Sequence, residues 1–367
     1  MRRLIALTLS AAPACLLLAG AARAEVPAVV TDIPAVQSLA AQVMGDLGQP
    51  AILLEQGGNA HSYQMKPSQA RALQNAHLIF WIGPEMTPWL DRAIEGVALS
   101  GKPVALLNAE GTFRQNYGDG AHDHDGEDHA GHEHEAEHEH EHEHEHEDHD
   151  HAHDDHEDDA HDDHAHHDHG HDDHAHDDHD DHAHDDHDHD GHSHTGTDPH
   201  AWLDPANAQA WLGVIAAELA AADPENAATY SANAEAASAA VAALDTRIAA
   251  TLSPVQGKPF VVFHDAYGYF AGHYGLDVAG TISLGDAAAP GAERLTEIRH
   301  LLEEEGAVCI FPEAQHDPKQ VETLVEGTPV KLGAALDPSG SNLTYGPDLY
   351  AALLTTMADT LADCLAD

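Results

Sequence analysis

The chain has 367 residues and a formal net charge of −51, set by 65 acidic residues against 14 Lys and Arg, with 36 His besides. Residues 122–194 hold 29 of those histidines and 32 of the acids, leaving the remainder at 33 acids against 14 bases. Both parts would be repelled by phosphate, which excludes nucleic acid as a partner.

At the N-terminus Arg2 and Arg3 precede an apolar run from Leu4 to Gly20, and Ala22-Arg23-Ala24 reads as a cleavage site. Residues 1–24 are therefore predicted to be a signal peptide. The run is too short for a membrane anchor and is broken by Pro13. No later segment is apolar enough to span a bilayer, so an exported, periplasmic protein is expected. Cleavage removes Cys15 and leaves Cys309 and Cys364. In an oxidising compartment that pair is expected to form a disulfide; two thiolate metal ligands are the alternative, disfavoured by the lack of a C-x-x-C pair.

From Glu25 short apolar runs alternate with helical patterns. Strands are predicted at Pro27–Thr31, Ala51–Leu54, His77–Ile82 and Pro103–Leu107, with helices from Ile33 to Leu47 and from Ser68 to Ala76. Residues 122–194 break the pattern with a repeat of His-Glu and His-Asp-Asp units, too poor in apolar side chains to offset the entropy of ordering, so disorder without metal is expected. After it, Asp204-Pro205 starts a helix to Ala221, and a second runs from Asn226 to Leu252, Ala-rich and free of Gly and Pro. At 1.5 Å per residue the second is about 40 Å long, the length of a strut. Alternation then resumes. Strands are predicted at Phe260–Phe263, Val278–Ile282, Ala307–Phe311 and Val330–Gly333, and helices at Ala266–Tyr274, Glu293–Glu305, Pro318–Val325 and Tyr350–Leu365.

Strands alternating with helices imply parallel sheets. The predicted fold is α/β: two lobes with parallel sheets, 25–223 (including 122–194) and 253–367, joined by one long rigid helix at 224–252, with a metal cleft between the lobes.

Outside 122–194 seven histidines remain. His61, His200 and His264 each stand where a strand gives way to a loop or a helix begins, the edge at which open α/β sheets bind ligands. Three imidazoles from separate segments at equivalent edges point to a shared metal site. His77, His273, His300 and His316 are read as bystanders, and Trp202, Phe263, Tyr267 and Phe270 as core between the lobes.

Six stretches carry a resemblance to a known family: His61-Ser62-Tyr63-Gln64-Met65-Lys66-Pro67-Ser68, Ile82-Gly83-Pro84-Glu85-Met86, Pro199-His200-Ala201-Trp202-Leu203-Asp204-Pro205, Val262-Phe263-His264-Asp265-Ala266-Tyr267-Gly268-Tyr269-Phe270, Phe311-Pro312-Glu313-Ala314-Gln315 and Leu336-Asp337-Pro338. In order and number they make the mature chain similar to the zinc-uptake solute-binding proteins of ABC importers, the ZnuA type within the cluster A-I metal-binding proteins. The His- and acid-rich insertion ahead of the second ligand segment is a feature of the zinc members. The resemblance implies imidazole ligands at His61, His200 and His264 and a carboxylate ligand at Asp337. It also implies a C-lobe disulfide, which fits Cys309 and Cys364. Some relatives use a glutamate beside the first histidine; here that neighbour is Ala60, so Asp337 or water is the expected fourth ligand. Manganese members typically carry Glu at the third position, where this chain has His264.

Zinc takes three imidazoles and one oxygen in a tetrahedron, and harder ions want more oxygen, so this donor set favours Zn²⁺. Asp265 and Glu313 are candidates to orient the imidazoles through their second nitrogens. The expected function is capture of one Zn²⁺ in a tight site and its delivery to the ABC permease of a zinc importer, by a monomer whose residues 122–194 collect further zinc weakly. Alternatives are a periplasmic metal buffer or resistance protein, and manganese or iron uptake. A zinc hydrolase would also use three histidines and an open position, but neither H-E-x-x-H nor a nucleophile elbow occurs.

Overall fold

The computed structural model describes residues 26–118, 196–283, 291–304 and 306–366. The predicted signal peptide and the His-rich segment lie outside these.

Two parallel four-stranded sheets organise the chain. The first is built from β1 (Val29–Thr31), β2 (Ala51–Ile52), β3 (Leu78–Trp81) and β4 (Lys102–Ala105) in the order β2-β1-β3-β4. The second repeats the arrangement with β5 (Phe260–Val262), β6 (Val278–Thr281), β7 (Cys309–Ile310) and β8 (Lys331–Leu332) in the order β6-β5-β7-β8. The central strands β1, β3, β5 and β7 are buried along their length. They read as unbroken apolar runs because helices cover both faces of such a sheet. Helices α1 (Pro34–Met44), α2 (Pro67–Asn75) and α3 (Pro88–Gly96) belong to the first sheet; α6 (Gly268–Tyr274), α7 (Ala292–Glu304) and α8 (Lys319–Val325) belong to the second.

Between the sheets run α4 (Pro205–Ala222) and α5 (Ala227–Leu252). The 26 residues of α5 bury Tyr230, Ala234, Ala237, Val241, Leu244, Ile248 and Leu252, a single stripe at helical spacing. The last helix, α9 (Leu349–Leu365), packs back onto α5 and α1. One continuous apolar cluster therefore extends from Val29 through α1, α4 and α5 to Phe260, Phe311 and Leu365. Hydrogen bonds reinforce that junction. The Tyr350 hydroxyl donates to the Trp202 carbonyl at 2.8 Å, and Ser38 accepts from the Tyr350 backbone at 3.0 Å while donating to the Pro347 carbonyl at 2.9 Å. The disulfide expected from the sequence joins Cys309 on β7 to Cys364 on α9.

The helix α3 has no counterpart in the sequence-based reading. Thr87 and Pro88 offer a start signal, with Pro at a first helical position where its missing N–H costs nothing. The nine residues that follow are too few for the apolar period to stand out, and only Trp89 and Leu90 are buried.

His273 is not idle. Its Nδ1 lies 3.1 Å from Asp204, which caps α4, and its Nε2 lies 2.9 Å from Asp245 on α5. The hydrogen bond to Asp204 is the main cause that pushes its pKa up to about 9. A folded pKa above the unfolded value stabilises the fold below about pH 6.5, and that contribution fades as pH rises through 9. With a quarter of the side chain exposed, solvent screening reduces the effect to about 1 kcal/mol. Thermal unfolding from pH 6 to 10 should accordingly show a loss of a few degrees that His273→Asn lacks; parallel pH profiles for the two proteins would contradict the assignment.

Candidate metal centre

The loop after β2 reaches His61 through Gly57, whose φ of +76° suits a residue without a Cβ. The Asn59 side chain then accepts the backbone N–H of His61 at 2.8 Å and that of Ser62 at 3.3 Å, fixing the turn. From α3 the Trp89 indole donates to the carbonyl of Ala60 at 2.7 Å, so the unanticipated helix anchors the residue before His61. His200 precedes the short turn Ala201–Leu203 that leads into α4. His264 comes two residues after β5. The sheets thus deliver two of the histidines from the carboxyl ends of their strands, and the N-terminal approach to α4 delivers the third.

These three side chains come together. Their ligand atoms all lie within 4.8 Å of one another, and the residues are buried, at 8%, 1% and 4% exposure for His61, His200 and His264. The Nε2 atoms of His61 and His200 are 3.3 Å apart. Two imidazole nitrogens bound at about 2.0–2.1 Å to one tetrahedral zinc sit about 3.3 Å apart as well. The surrounding cavity measures about 20 Å³, enough for one water or ion. A larger cavity of about 740 Å³ between α4 and α5 is walled chiefly by alanine and serine and has no histidine or cysteine in its lining.

Two carboxylates set the rings. Asp198 holds Nδ1 of His200 at 2.8 Å and also accepts the His200 backbone N–H at 3.0 Å. Glu313, at the end of β7, holds Nδ1 of His264 at 2.5 Å. Both are buried. A carboxylate on Nδ1 fixes the tautomer that leaves Nε2 as the donor to a metal, and it raises the basicity of that nitrogen; loss of such a partner typically costs 10–100-fold in affinity. Glu313 stands where the sequence placed it as an orienting group. Asp198 was missed, although it stands two residues before His200, directly ahead of the segment that carries the resemblance. Asp265, the other candidate, is half-buried beside a separate cavity of about 250 Å³ that Gln115, Asp198 and Arg294 also line.

Asp337 is not brought into the group. Its Oδ1 accepts from Gln315 Nε2 at 3.0 Å, from the Ser339 hydroxyl at 3.1 Å and from the Ser341 N–H at 3.2 Å; its Oδ2 accepts from the Asn342 N–H at 2.9 Å. Trp202, Tyr267 and Phe270 are buried in the apolar cluster shared between the lobes, as expected, whereas Phe263 packs in a separate cluster of the second sheet with Ile310 and Val321. Of the remaining histidines, His77 accepts the backbone N–H of Ala28 at 2.9 Å, and His316 stacks on Phe263 with ring centroids 4.0 Å apart. Among the described residues no helix is long and apolar enough to cross a membrane.

Comparison with known proteins places this geometry in context. Residues 29–364 match the family model described as the periplasmic zinc-uptake complex component A. The high-affinity zinc uptake system protein ZnuA of Paracoccus denitrificans is 55% identical over 94% of this chain and 93% of its own length. That of Brucella suis is 41% identical over 92% and 91%. Among solved structures, the manganese-bound periplasmic metal binding protein from Candidatus Liberibacter asiaticus superposes with a TM-score of 0.61, at 17% identity, over 91% of this chain and 99% of the other. At that identity it bears on the fold alone.

Proposed function

The chain belongs to the family of periplasmic zinc-uptake complex component A proteins, and from that premise we propose that it captures Zn²⁺ in the periplasm and delivers it to an ABC-type zinc importer. The ion is cargo. His61, His200 and His264 bind it through Nε2, and the observation that carries this assignment is the 3.3 Å separation of the His61 and His200 nitrogens, with carboxylates on the far side of two rings. Of the two expected fourth ligands, water is the better supported, because the carboxylate of Asp337 does not join the three imidazoles in the group whose ligand atoms lie within 4.8 Å of one another. A site with room for one ion or water, and none for an organic substrate, supports binding over hydrolysis. Three nitrogen donors favour zinc over manganese or iron. The protein acts as a monomer, and the core shared between the lobes favours modest movement on metal release.

The segment 122–194 serves in this reading as a collector of many weak sites that raises the zinc concentration near the cleft. Titrating the mature chain and a variant lacking 122–194 is the direct test. The deletion should remove several weak equivalents of zinc and leave one tight equivalent in place; disappearance of the tight equivalent would refute the two-part arrangement. Growth of a strain lacking the gene separates uptake from buffering. Failure in zinc-depleted medium supports delivery to an importer, and failure only in zinc excess supports a resistance role.

A further inference from the structure

Asp337 lies at the hub of a turn that touches both ligand segments of the first sheet's side. Its carboxylate gathers the N–H groups of Ser341 and Asn342, the Ser339 hydroxyl and the Gln315 amide. The same Gln315 amide nitrogen lies within hydrogen-bond distance of the hydroxyls of Ser339 and Ser341, which links the turn to the strand end that carries Glu313. Within this turn two carbonyls point across the cleft. That of Ser341 accepts the N–H of Gly57 at 2.9 Å, four residues before His61. That of Pro338 accepts the indole N–H of Trp202 at 2.9 Å, two residues after His200. The Gln56 amide adds a third tie, to the Leu343 carbonyl at 3.1 Å.

We propose that Asp337 is a positioning residue for metal retention: its carboxylate folds residues 337–342 into a bracket that holds the His61 loop and the His200 segment in place without itself binding the ion. The proposal rests on the assignment of His61, His200 and His264 as ligands and adds how two of them are kept in register. An aspartate side chain that accepts backbone N–H groups a few residues ahead is a device for rigidifying a turn. Without it, Ser341 and Asn342 lose their acceptor and the two cross-cleft carbonyls lose their common frame. The His61 loop then opens more often, so metal should leave faster even though all three imidazoles remain.

Cobalt(II) loading separates this role from ligation. Wild-type protein, Asp337→Asn and Asp337→Ala are loaded with Co²⁺, their visible bands are recorded, and metal loss to excess chelator is timed by stopped flow. The bands should coincide in all three proteins, because the donor set is unchanged. Dissociation should quicken roughly tenfold in Asp337→Ala, the scale expected from losing hydrogen bonds to a charged acceptor. It should quicken less in Asp337→Asn, where Oδ1 still accepts from Ser341 and Gln315 but the amide nitrogen opposes the Asn342 N–H. Shifted bands in either variant would make Asp337 a ligand and overturn the proposal, as would an unchanged rate in Asp337→Ala. Should the alanine variant fail to fold, Asp337→Asn and Gln315→Ala carry the same comparison, with faster loss and unshifted bands expected in each. Failure of the parent assignment is read elsewhere, in unimpaired zinc binding by His61→Ala.

Discussion

Replacing His264 with alanine is expected to weaken zinc binding by about 10²- to 10³-fold, since a site worth roughly 10–16 kcal/mol through four donors loses about a quarter of that with one. In the proposed site His264 is the imidazole that the second sheet contributes, so its loss would leave only imidazoles from the opposite side of the cleft. The substitution also removes the ring to which Oε2 of Glu313, a carboxylate 4% exposed, is bonded, and leaves it the more distant His316, 3.9 Å from Oε1. Burying a carboxylate that has lost its hydrogen bond lowers stability as well as affinity. His264→Gln is therefore a useful companion, because an amide can donate to Glu313 in place of Nδ1. Competition titration against a chromophoric chelator, with melting curves recorded in EDTA, distinguishes the two effects. Wild-type affinity in both variants would remove His264 from the site.

Breaking the Cys309–Cys364 bridge should cost about 4 kcal/mol, the chain-entropy value for a loop of this size; the cysteines are 55 residues apart in sequence. The bond fastens the centre of the second sheet to α9, which packs against α5 and α1. Slackening it therefore loosens the one element that carries the chain end back into the shared core. Cys309 is fully buried, so the double variant Cys309→Ala/Cys364→Ala is a cleaner probe than a reductant. For a protein of this size the expected drop in melting temperature is roughly 10 °C. Equal denaturant midpoints with and without the bridge would contradict this account.

Much of the architecture was legible because parallel strands write themselves as short apolar runs. Val29–Thr31, Leu78–Trp81 and Phe260–Val262 fall inside the strands predicted for them, and the predicted strut from Asn226 to Leu252 differs from α5 by one residue. The helix α3 escaped because nine residues give barely two turns, and its anchoring of Ala60 through Trp89 is a tertiary contact that no local pattern encodes. Strand ends shifted for a related reason: the predicted strand Val330–Gly333 shrinks to Lys331–Leu332 where pairing with β7 stops.

The three histidines were legible from their positions at strand and helix edges, whereas their supporting groups were only half so. Glu313 sits 49 residues from His264 and meets it because β5 and β7 are neighbours in the sheet. Asp265, adjacent to His264 in sequence, was the tempting local candidate for the same task. For Asp337 the resemblance implied a ligand, but the run Asp337-Pro338-Ser339-Gly340-Ser341-Asn342 is rich in turn-forming residues. That composition was the available sign that its oxygens would accept the N–H groups of Ser341 and Asn342.

The carboxylates behind two of the rings have an electrostatic consequence for which ions can settle there. Asp198 and Glu313 are both buried, and together they bring two negative charges into a region shielded from water. In the proposed site a divalent cation held by three neutral imidazoles would offset those two charges more fully than a monovalent ion could, and an uncompensated charge is expensive in a medium of low dielectric. The carboxylates that turn the rings would thus add an electrostatic preference for divalent ions to the preference of nitrogen donors for zinc.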